Sequence, residues 1–337
     1  MTLAKLMAAV AVSDLILHGG ILGRAQNLFV ANGDSDSIEK FNPLGVGTAF
    51  AISGLSGPFG LAFDTAGNLF VANSYVGTAG YSIREFNPSG VGSVFAGPST
   101  GLAQPVGLAF DSKGSLFVAN EQNNTIQEFN PLGMGTLFVH SGLNAPTALA
   151  FDSAGNLYVA NANANNIKKF NSSGVGTVFA SSGVSSPTGM AFDSGGNLFV
   201  AGQNGIIEKL NSSGVGTVFA RLPLGITPAY LAFDSTGVLF ATTSQDTIEK
   251  FNSAGVGTVF ANSGLAVPNG LAFEPAPVPE PSAWALLLCA IGALLARRLG
   301  PPHGVPDGRP PRLRERQRPV AHLDRGAAHR LAGRRQD

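Results

Sequence analysis

NLFVAN, residues 27–32, is the first of six similar stretches that organise the chain. The others are NLFVAN (68–73), SLFVAN (115–120), NLYVAN (156–161), NLFVAG (197–202) and VLFATT (238–243). Successive copies begin 41, 47, 41, 41 and 41 residues apart. A fixed period in this range predicts a repeat architecture in which each unit packs mainly against its neighbours.

Each period contains three more short apolar runs. Examples are EKFN (39–42), GTVFA (176–180) and LAFD (149–152), and turn residues separate them. Four short β-type runs per period describe one four-stranded propeller blade. In Leu-Phe-Val-Ala both alternating sets of side chains are apolar, so both faces of the sheet must be covered, as they are between packed blades.

The two ends of the repeat region predict how the ring closes. The first NLFVAN has no LAFD run before it, and the last LAF run (271–273) has no NLFVAN after it. The two partial units add up to one blade. We therefore predict an all-β, six-bladed β-propeller over residues 27–274, closed by the C-terminal strand in the innermost position.

The repeat unit resembles a known family. PTGMAFDSGGNLFVA (187–201) and NANANNIKKF (161–170) are similar to the NHL repeat, which implies a six-bladed propeller. Propellers of this kind include binding modules, lyases and lactonases, so the resemblance leaves the function open. In one departure, the family's usual Asp after the second strand is Asn in four copies: Asn32, Asn73, Asn120 and Asn161.

Composition and charge indicate the class of protein and exclude one kind of partner. A content of 44 glycines with only 12% charged residues is typical of a turn-rich β protein. Residues 27–275 carry eight Lys/Arg against fifteen Asp/Glu, a net charge of −7, which argues against nucleic acid as a partner. Cys289 is the only cysteine, so no disulfide forms within the chain and cysteine usage leaves the compartment open.

The N-terminal segment, residues 1–26, has the pattern of an imperfect secretory signal peptide. Lys5 precedes an apolar run (6–12), and Gly23 and Ala25 stand at a plausible cleavage spacing. Asp14 is the imperfection, because a charge disfavours insertion of the apolar region. The alternative is a misassigned start codon upstream of the first strand.

The region after the repeats resembles a sorting signal. A Pro-rich linker (275–281) contains Val278, Pro279, Glu280 and Pro281, and a predicted apolar helix (282–296) ends at the basic pair Arg297 and Arg298. This order is similar to the PEP-CTERM signal of Gram-negative bacteria. The resemblance implies an exosortase-type sorting enzyme as partner, membrane contact through residues 282–298 before processing, and export to the envelope, cell surface or extracellular matrix. An ordinary C-terminal membrane anchor is the alternative.

The last segment, residues 299–337, departs from that family, whose members usually end soon after the basic pair. With residues 297 and 298 it carries eleven Arg against four acidic residues, a net charge of +7, and it has no apolar periodicity. We interpret it as a disordered basic tail or as the product of a frameshifted gene end.

Ligand-binding candidates are sought in the loops between second and third strands and between blades. Asn120 and Asn161 fall there, and either cap turns or form a polar rim for sugar hydroxyls. The loop 74–82 is four residues longer than its counterparts and contains Tyr75 and Tyr81. Exposed tyrosines favour contact with a partner or glycan, and a tolerated insertion is the alternative.

Acidic residues are the candidates for metal binding. Asp34, Asp36 and Asp246 could hold Ca²⁺ or Mg²⁺, since ring closure makes their blades neighbours, and Glu121 lies on the same face. His140 is the only histidine of the repeats, and no nucleophile triad is recognisable. The acids after the LAF runs are predicted to cap tight turns on the opposite face: Asp64, Asp111, Asp152, Asp193, Asp234 and Glu274.

Two functions remain open from the sequence. The first is an exported, non-enzymatic propeller that acts as a scaffold and binds extracellular polysaccharide or a surface protein, without a cofactor. The alternative is a secreted lactonase or lyase that depends on Ca²⁺ or Mg²⁺. Both place the site on the loop-bearing face.

Overall fold

The computed structural model describes residues 26–75 and 80–275, and within them the chain forms six four-stranded antiparallel sheets. We number these sheets blades I to VI. From the innermost strand outward, blade I contains β24 (Pro268–Phe273), β1 (Leu28–Asn32), β2 (Ser37–Phe41) and β3 (Gly47–Ala51). Blade II contains β4 (Pro58–Phe63), β5 (Leu69–Asn73), β6 (Ser82–Phe86) and β7 (Gly92–Ala96).

The other four blades follow the same order. Blade III contains β8 (Pro105–Phe110), β9 (Leu116–Asn120), β10 (Thr125–Phe129) and β11 (Gly135–Val139), and blade IV contains β12 (Pro146–Phe151), β13 (Leu157–Asn161), β14 (Asn166–Phe170) and β15 (Gly176–Ala180). Blade V contains β16 (Pro187–Phe192), β17 (Leu198–Gly202), β18 (Ile206–Leu210) and β19 (Gly216–Arg221). Blade VI contains β20 (Pro228–Phe233), β21 (Leu239–Thr243), β22 (Thr247–Phe251) and β23 (Gly257–Ala261). Two 3₁₀ turns, Pro98–Thr100 and Ala162–Ala164, lie in loops.

The ring closes as the sequence predicts. Strand β24 pairs antiparallel with β1, with Leu271 opposite Val30 and Phe273 opposite Leu28. The innermost strands of adjacent blades contact each other all the way round, including β20 with β24 and β24 with β4. The six-bladed fold and its closure by the C-terminal strand are therefore confirmed.

The core lies between blades and is built from a repeated aromatic group. Phe29 of β1 meets Phe50 of β3 at 4.8 Å and Phe63 of the next blade at 5.1 Å, both edge to face. Edge-to-face pairs contribute about 0.5–1.5 kcal/mol beyond the burial of area. Corresponding trios, each joining one blade to the next, are Phe70–Phe95–Phe110, Phe117–Phe138–Phe151, Tyr158–Phe179–Phe192, Phe199–Phe219–Phe233 and Phe240–Phe260–Phe273.

The acids after the innermost strands cap turns. Asp64 Oδ1 accepts hydrogen bonds from the Ala66 and Asn68 N–H groups at 2.9 and 2.8 Å. Glu274 instead accepts from the Asn27 N–H at 3.2 Å, which ties the two ends of the repeat region together. Pro58 pairs with Asn73 and Phe63 with Leu69, so the Asp64 turn lies at the opposite end of the blade from the Asn73 loop. We call the end with the loops after the second and fourth strands the loop face.

The targeting predictions concern residues outside the described ranges. They are the signal peptide (1–26, of which only Gln26 is described), the sorting motif Val278 to Pro281 with Arg297 and Arg298, the apolar helix (282–298) and the tail (299–337). Within residues 26–75 and 80–275, no helix is long and apolar enough to cross a membrane.

Candidate functional site

The loop face is held in shape by an asparagine at the end of the second strand. Asn73 Nδ2 donates to the Gly54 carbonyl at 3.0 Å, and Asn73 Oδ1 accepts from the Ser56 N–H at 3.2 Å. The side chain therefore fastens the loop that enters the blade, 17 to 19 residues upstream. Both halves of the amide are used, which is why Asn rather than Asp suits this position.

Asn120 and Asn161, the two candidate ligand-binding asparagines, occupy the same position in blades III and IV. Both side chains are buried. Asn120 Oδ1 accepts from the Ala103 N–H at 3.1 Å, and Asn161 Oδ1 from the Asn144 N–H at 3.3 Å. Their polar atoms are used inside the protein, so a ligand on this face would meet other residues first.

We expect Asn73→Asp to destabilise the propeller by about 1–3 kcal/mol, because it removes a buried donor and places a charge beside the Gly54 carbonyl. Asn87→Asp is the matched control. Asn87 is exposed and uses only Oδ1, which accepts from Ser89 and Val91. Urea unfolding of the two variants should show a lowered midpoint only for the first, and equal midpoints would contradict the role given to Asn73.

Asp36 and Asp246, two of the candidate metal ligands, also contact the backbone of loops. Asp36 Oδ1 accepts from the Gly57 N–H at 2.6 Å, and Asp246 Oδ1 from the Val267 N–H at 2.8 Å. Asn124 and Asn165 make the corresponding bond in blades III and IV. An uncharged amide can therefore replace the carboxylate at this position, which fits a structural role.

The structure does not bring the candidate metal ligands Asp34, Asp36 and Asp246 together into one group, and a Ca²⁺ or Mg²⁺ site stays a prediction. Asp34 is exposed, and no group of three or more His, Cys, Asp or Glu among the residues that the structure describes is placed to hold a metal ion. His140 is exposed, just after the outermost strand β11.

The axis of the propeller is crowded, and small residues make this possible. The third residue of each innermost strand is Gly60, Gly107, Ala148, Gly189, Tyr230 or Gly270. A Cβ at Gly107 would lie 2.8 Å from the Thr147 carbonyl oxygen of the next blade, closer than real Cβ contacts. Tyr230 is the single large residue in this ring.

Tyr230 reaches across the axis. Its ring centroid lies 6.1 Å from that of Phe59 in blade II, and its hydroxyl donates to the Thr147 carbonyl of blade IV at 3.4 Å. A second departure accompanies it: Thr242 stands where the other copies have Ala, and its hydroxyl accepts from the Tyr230 N–H at 3.1 Å and donates to the Asn269 carbonyl at 2.9 Å. The unusual VLFATT sequence thus supports the unusual tyrosine.

An axial cavity of about 60 Å³ is lined by Tyr230 together with small and apolar residues of the innermost strands. This space holds one or a few water molecules and no larger ligand. A ligand at the axis would therefore lie outside it, at the axial mouth on the loop face.

Glu121 is an ionisable residue of the loop face, directly after the second strand of blade III. It follows Asn120, its N–H donates to the Gln104 carbonyl at 3.0 Å, and Gln104 Nε2 donates to its carboxylate at 3.4 Å. Burial raises the pKa of the Glu121 carboxyl. Burial, and to a smaller extent the charge of Glu121, raises the pKa of the Tyr230 hydroxyl.

The two candidate tyrosines of blade II have different surroundings. Tyr81 packs against the core between blades II and III, and its hydroxyl donates to Gln122 Oε1 at 3.3 Å. Tyr75 is 52% exposed. Tyr75 is therefore available for contact, and Tyr81 mainly connects two blades.

Comparisons with known proteins show similarity in fold. No protein-family model and no curated protein sequence matches the chain, so the resemblances to the NHL repeat and the PEP-CTERM signal stay predictions. Among solved structures, a catalytically inactive histidine variant of virginiamycin B lyase from Staphylococcus aureus with quinupristin has a TM-score of 0.58 at 16% identity, covering 75% of this chain and 94% of that one. A streptogramin B lyase has a TM-score of 0.58 at 11% identity, covering 75% and 92%. A proposed gluconolactonase has a TM-score of 0.54 at 15% identity, covering 66% and 87%.

These similarities establish the class of fold, a six-bladed propeller shared with known enzymes. Sequence identities of 11 to 16% show a similarity of fold alone.

Proposed function

We propose that the propeller binds a small polar ligand at the axial mouth of the loop face and acts on it as an enzyme of lyase or lactonase type. The observation that carries this proposal is Glu121, a partly buried carboxyl of the loop face with a raised pKa, whose charge acts on the Tyr230 hydroxyl at the axis. Perturbed carboxyls in concave sites are candidates for acid–base catalysis. The enzymes of the same fold favour this function over a purely non-catalytic scaffold.

The two groups would have distinct roles. A carboxylate whose pKa is raised above the ordinary carboxyl value is a stronger base, and it can take a proton from a substrate carbon or from water and return it to a leaving oxygen. The Tyr230 hydroxyl stays protonated, because its own pKa is raised. It holds the Thr147 carbonyl and closes the axis, so that the ligand stays at the mouth.

We expect Glu121→Gln to abolish turnover while leaving the fold intact. The folded-state pKa of Glu121 is raised, so its contribution to stability is present below the ordinary carboxyl pKa and is lost as the pH rises through the raised value. The Gln variant should therefore match the wild type in acid and be at least as stable at pH 7. Ring opening of quinupristin and of a panel of γ- and δ-lactones measures turnover, and thermal melts measure stability.

Glu128→Gln, on β10 of the same blade, is the control and should keep full activity. Turnover that survives in Glu121→Gln would overturn the role of Glu121. A wild-type protein that opens none of these rings would contradict the enzymatic proposal.

The second candidate is an exported binding module for the envelope or extracellular matrix. The half-exposed Tyr75 favours it, as does the resemblance of residues 278–298 to a sorting signal. Intact mass of the protein from envelope and culture-medium fractions of its host tests export. A species starting near Gln26 and ending near Pro279 to Pro281 is expected, and a full-length cytoplasmic protein would contradict it.

A further inference from the structure

We infer that the loop face of blade II carries a binding site for acidic saccharides, made by Tyr75 and Arg84 on either end of the loop 54–57. The inference rests on the second candidate function, ligand binding at the loop face, and is independent of catalysis at Glu121. It is based on two positions at which blade II has a different residue type from the other five blades, Tyr75 and Arg84.

At the first of these positions, the Tyr75 ring packs against Gly57. A Cβ at Gly57 would overlap the Tyr75 ring, so the ring lies directly against the backbone of residue 57. The positive φ of +51° does not itself demand glycine, because Gln104, Ala145, Ser186 and Val267 adopt φ of 53°, 50°, 40° and 48° at the corresponding place. Glycine at 57 therefore makes room for the ring.

Comparison of the six blades shows that only blade II has an aromatic residue at the position of Tyr75. The residue two after the end of the second strand is Asp34, Gln122, Asn163, Asn204 or Gln245 elsewhere. Tyr75 is thus the one aromatic residue in this ring of positions, and with 52% of its surface exposed it offers a flat apolar platform. Such a platform suits the apolar face of a sugar ring.

At the second position, the Arg84 side chain packs against Gly54, the other glycine of the loop. A Cβ at Gly54 would lie 2.7 Å from a terminal guanidinium nitrogen of Arg84 and 2.9 Å from Cζ, so the guanidinium lies along the loop backbone. The other blades have Glu39, Gln127, Lys168, Glu208 or Glu249 at this position. Only blade II supplies a planar fork that can hold a carboxylate by two parallel hydrogen bonds.

Arg84 also has unused hydrogen-bonding capacity. Its Nε is buried and has no hydrogen-bond partner among the described residues. A buried unpaired donor is costly in a native protein and points to a ligand or solvent partner. In blade I the equivalent residue, Glu39, lines an open groove of about 450 Å³ beside Gly264.

A fixed loop carries the two glycines against which Arg84 and Tyr75 pack. Gly54 and Gly57 are three residues apart, so their Cα atoms are at most about 10 Å apart, the span of one to two sugar units. Asn73 bonds to Gly54 and Ser56, and the Ser74 N–H donates to the Gly57 carbonyl at 3.0 Å. The site is therefore preorganised.

Charge confines the anion to the Arg84 end. The Asp36 carboxylate, bonded to the Gly57 N–H, places a negative charge under the Tyr75 end of the loop, and the propeller body carries a net charge of −7. An acidic group is thus attracted at one point only. An acidic sugar that stacks one ring on Tyr75 and directs the carboxylate or sulfate of that ring to Arg84 matches this arrangement.

The test is calorimetric titration of the full chain with a hexameric polyuronate, a sulfated hexasaccharide and a neutral dextran hexamer. We expect the polyuronate to bind at least ~10-fold more tightly than the dextran, the size of one charge-assisted hydrogen bond. Tighter binding of the sulfated sugar would assign the site to sulfate while keeping the inference. Equal affinity for all three would overturn it.

Variants locate the site. Tyr75→Ala and Arg84→Gln should each weaken polyuronate binding at least ~10-fold, Arg84→Lys should weaken it less because it keeps the charge but loses the fork, and Tyr75→Phe should bind as the wild type. Arg221→Gln, an exposed arginine of blade V, is the matched control and should change nothing. Wild-type affinity in Arg84→Gln would overturn the inference.

The Glu121→Gln variant separates this inference from the proposed function. It should bind the polyuronate as the wild type does while losing turnover. A protein that binds the saccharide but opens no lactone or depsipeptide ring would remove the enzymatic proposal alone. Turnover without saccharide binding would remove the blade II site alone.

Discussion

A chain ending at Val267 should fail to form a cooperative propeller. This truncation removes β24, which pairs with β1 and contacts β4 and β20. It leaves the edge of β1 unpaired and exposes the cluster around Leu271, which includes Leu28, Val30 and Phe240. At about 1.5–3 kcal/mol for each large apolar side chain, the loss reaches the whole stability of a typical domain, about 5–15 kcal/mol. Far-UV circular dichroism during urea unfolding measures the effect.

A chain ending at Pro275 is the control. It keeps β24 and the bond between Asn27 and Glu274, so it should unfold with the same midpoint and slope as the full chain. A cooperative transition of wild-type midpoint in the shorter chain would show that β24 does not close the ring in solution.

The number of blades and the closure could be read from the sequence because they depend on local, repeated chemistry. NLFVAN predicts a strand covered on both faces, and β1 is buried at every position. The Asp64 turn was predictable for the same reason, since Asp caps its own backbone within four residues. The six near-identical periods repeat each of these local signals.

The candidate site was harder to predict because its contacts join distant parts of the chain. Asn120 and Asn161 have the composition of exposed turn residues, and only the return of a loop from 17 residues upstream buries them. Tyr230 meets Thr147, 83 residues away, across an axis that no local pattern describes. The available signal was the break in the repeat: Tyr230 replaces a small residue, and Thr242 replaces an alanine.

Breaks in the repeat are also where the two proposed sites lie. Glu121 is the only acid at the first position after the second strand, where the other blades have Gly33, Ser74, Ala162, Gln203 and Ser244. In a propeller of near-identical blades, the common residues are explained by packing and turn formation. The departures that the fold does not require are therefore the better guide to function.

The axis supplies the sharpest test of packing, through Gly60→Ala. A Cβ at Gly60 would overlap the Val106 carbonyl oxygen of the next innermost strand and lie 3.3 Å from the Leu108 nitrogen. Because the obstacle is backbone in a closed ring, it cannot move aside as a side chain can. We expect a loss of roughly 3 kcal/mol or more in the free energy of unfolding, the upper range for overpacking.

Gly97→Ala distinguishes this clash from the general effect of replacing a glycine. Gly97 has a φ of −103°, which any residue adopts, and an added Cβ would meet nothing within 4 Å. Its replacement should change the free energy of unfolding by no more than about 0.5 kcal/mol, the range of neutral surface substitutions. If the two variants unfolded at the same urea concentration, the innermost strands would have to be farther apart than their carbonyl contacts indicate, and the axis would have room for a ligand.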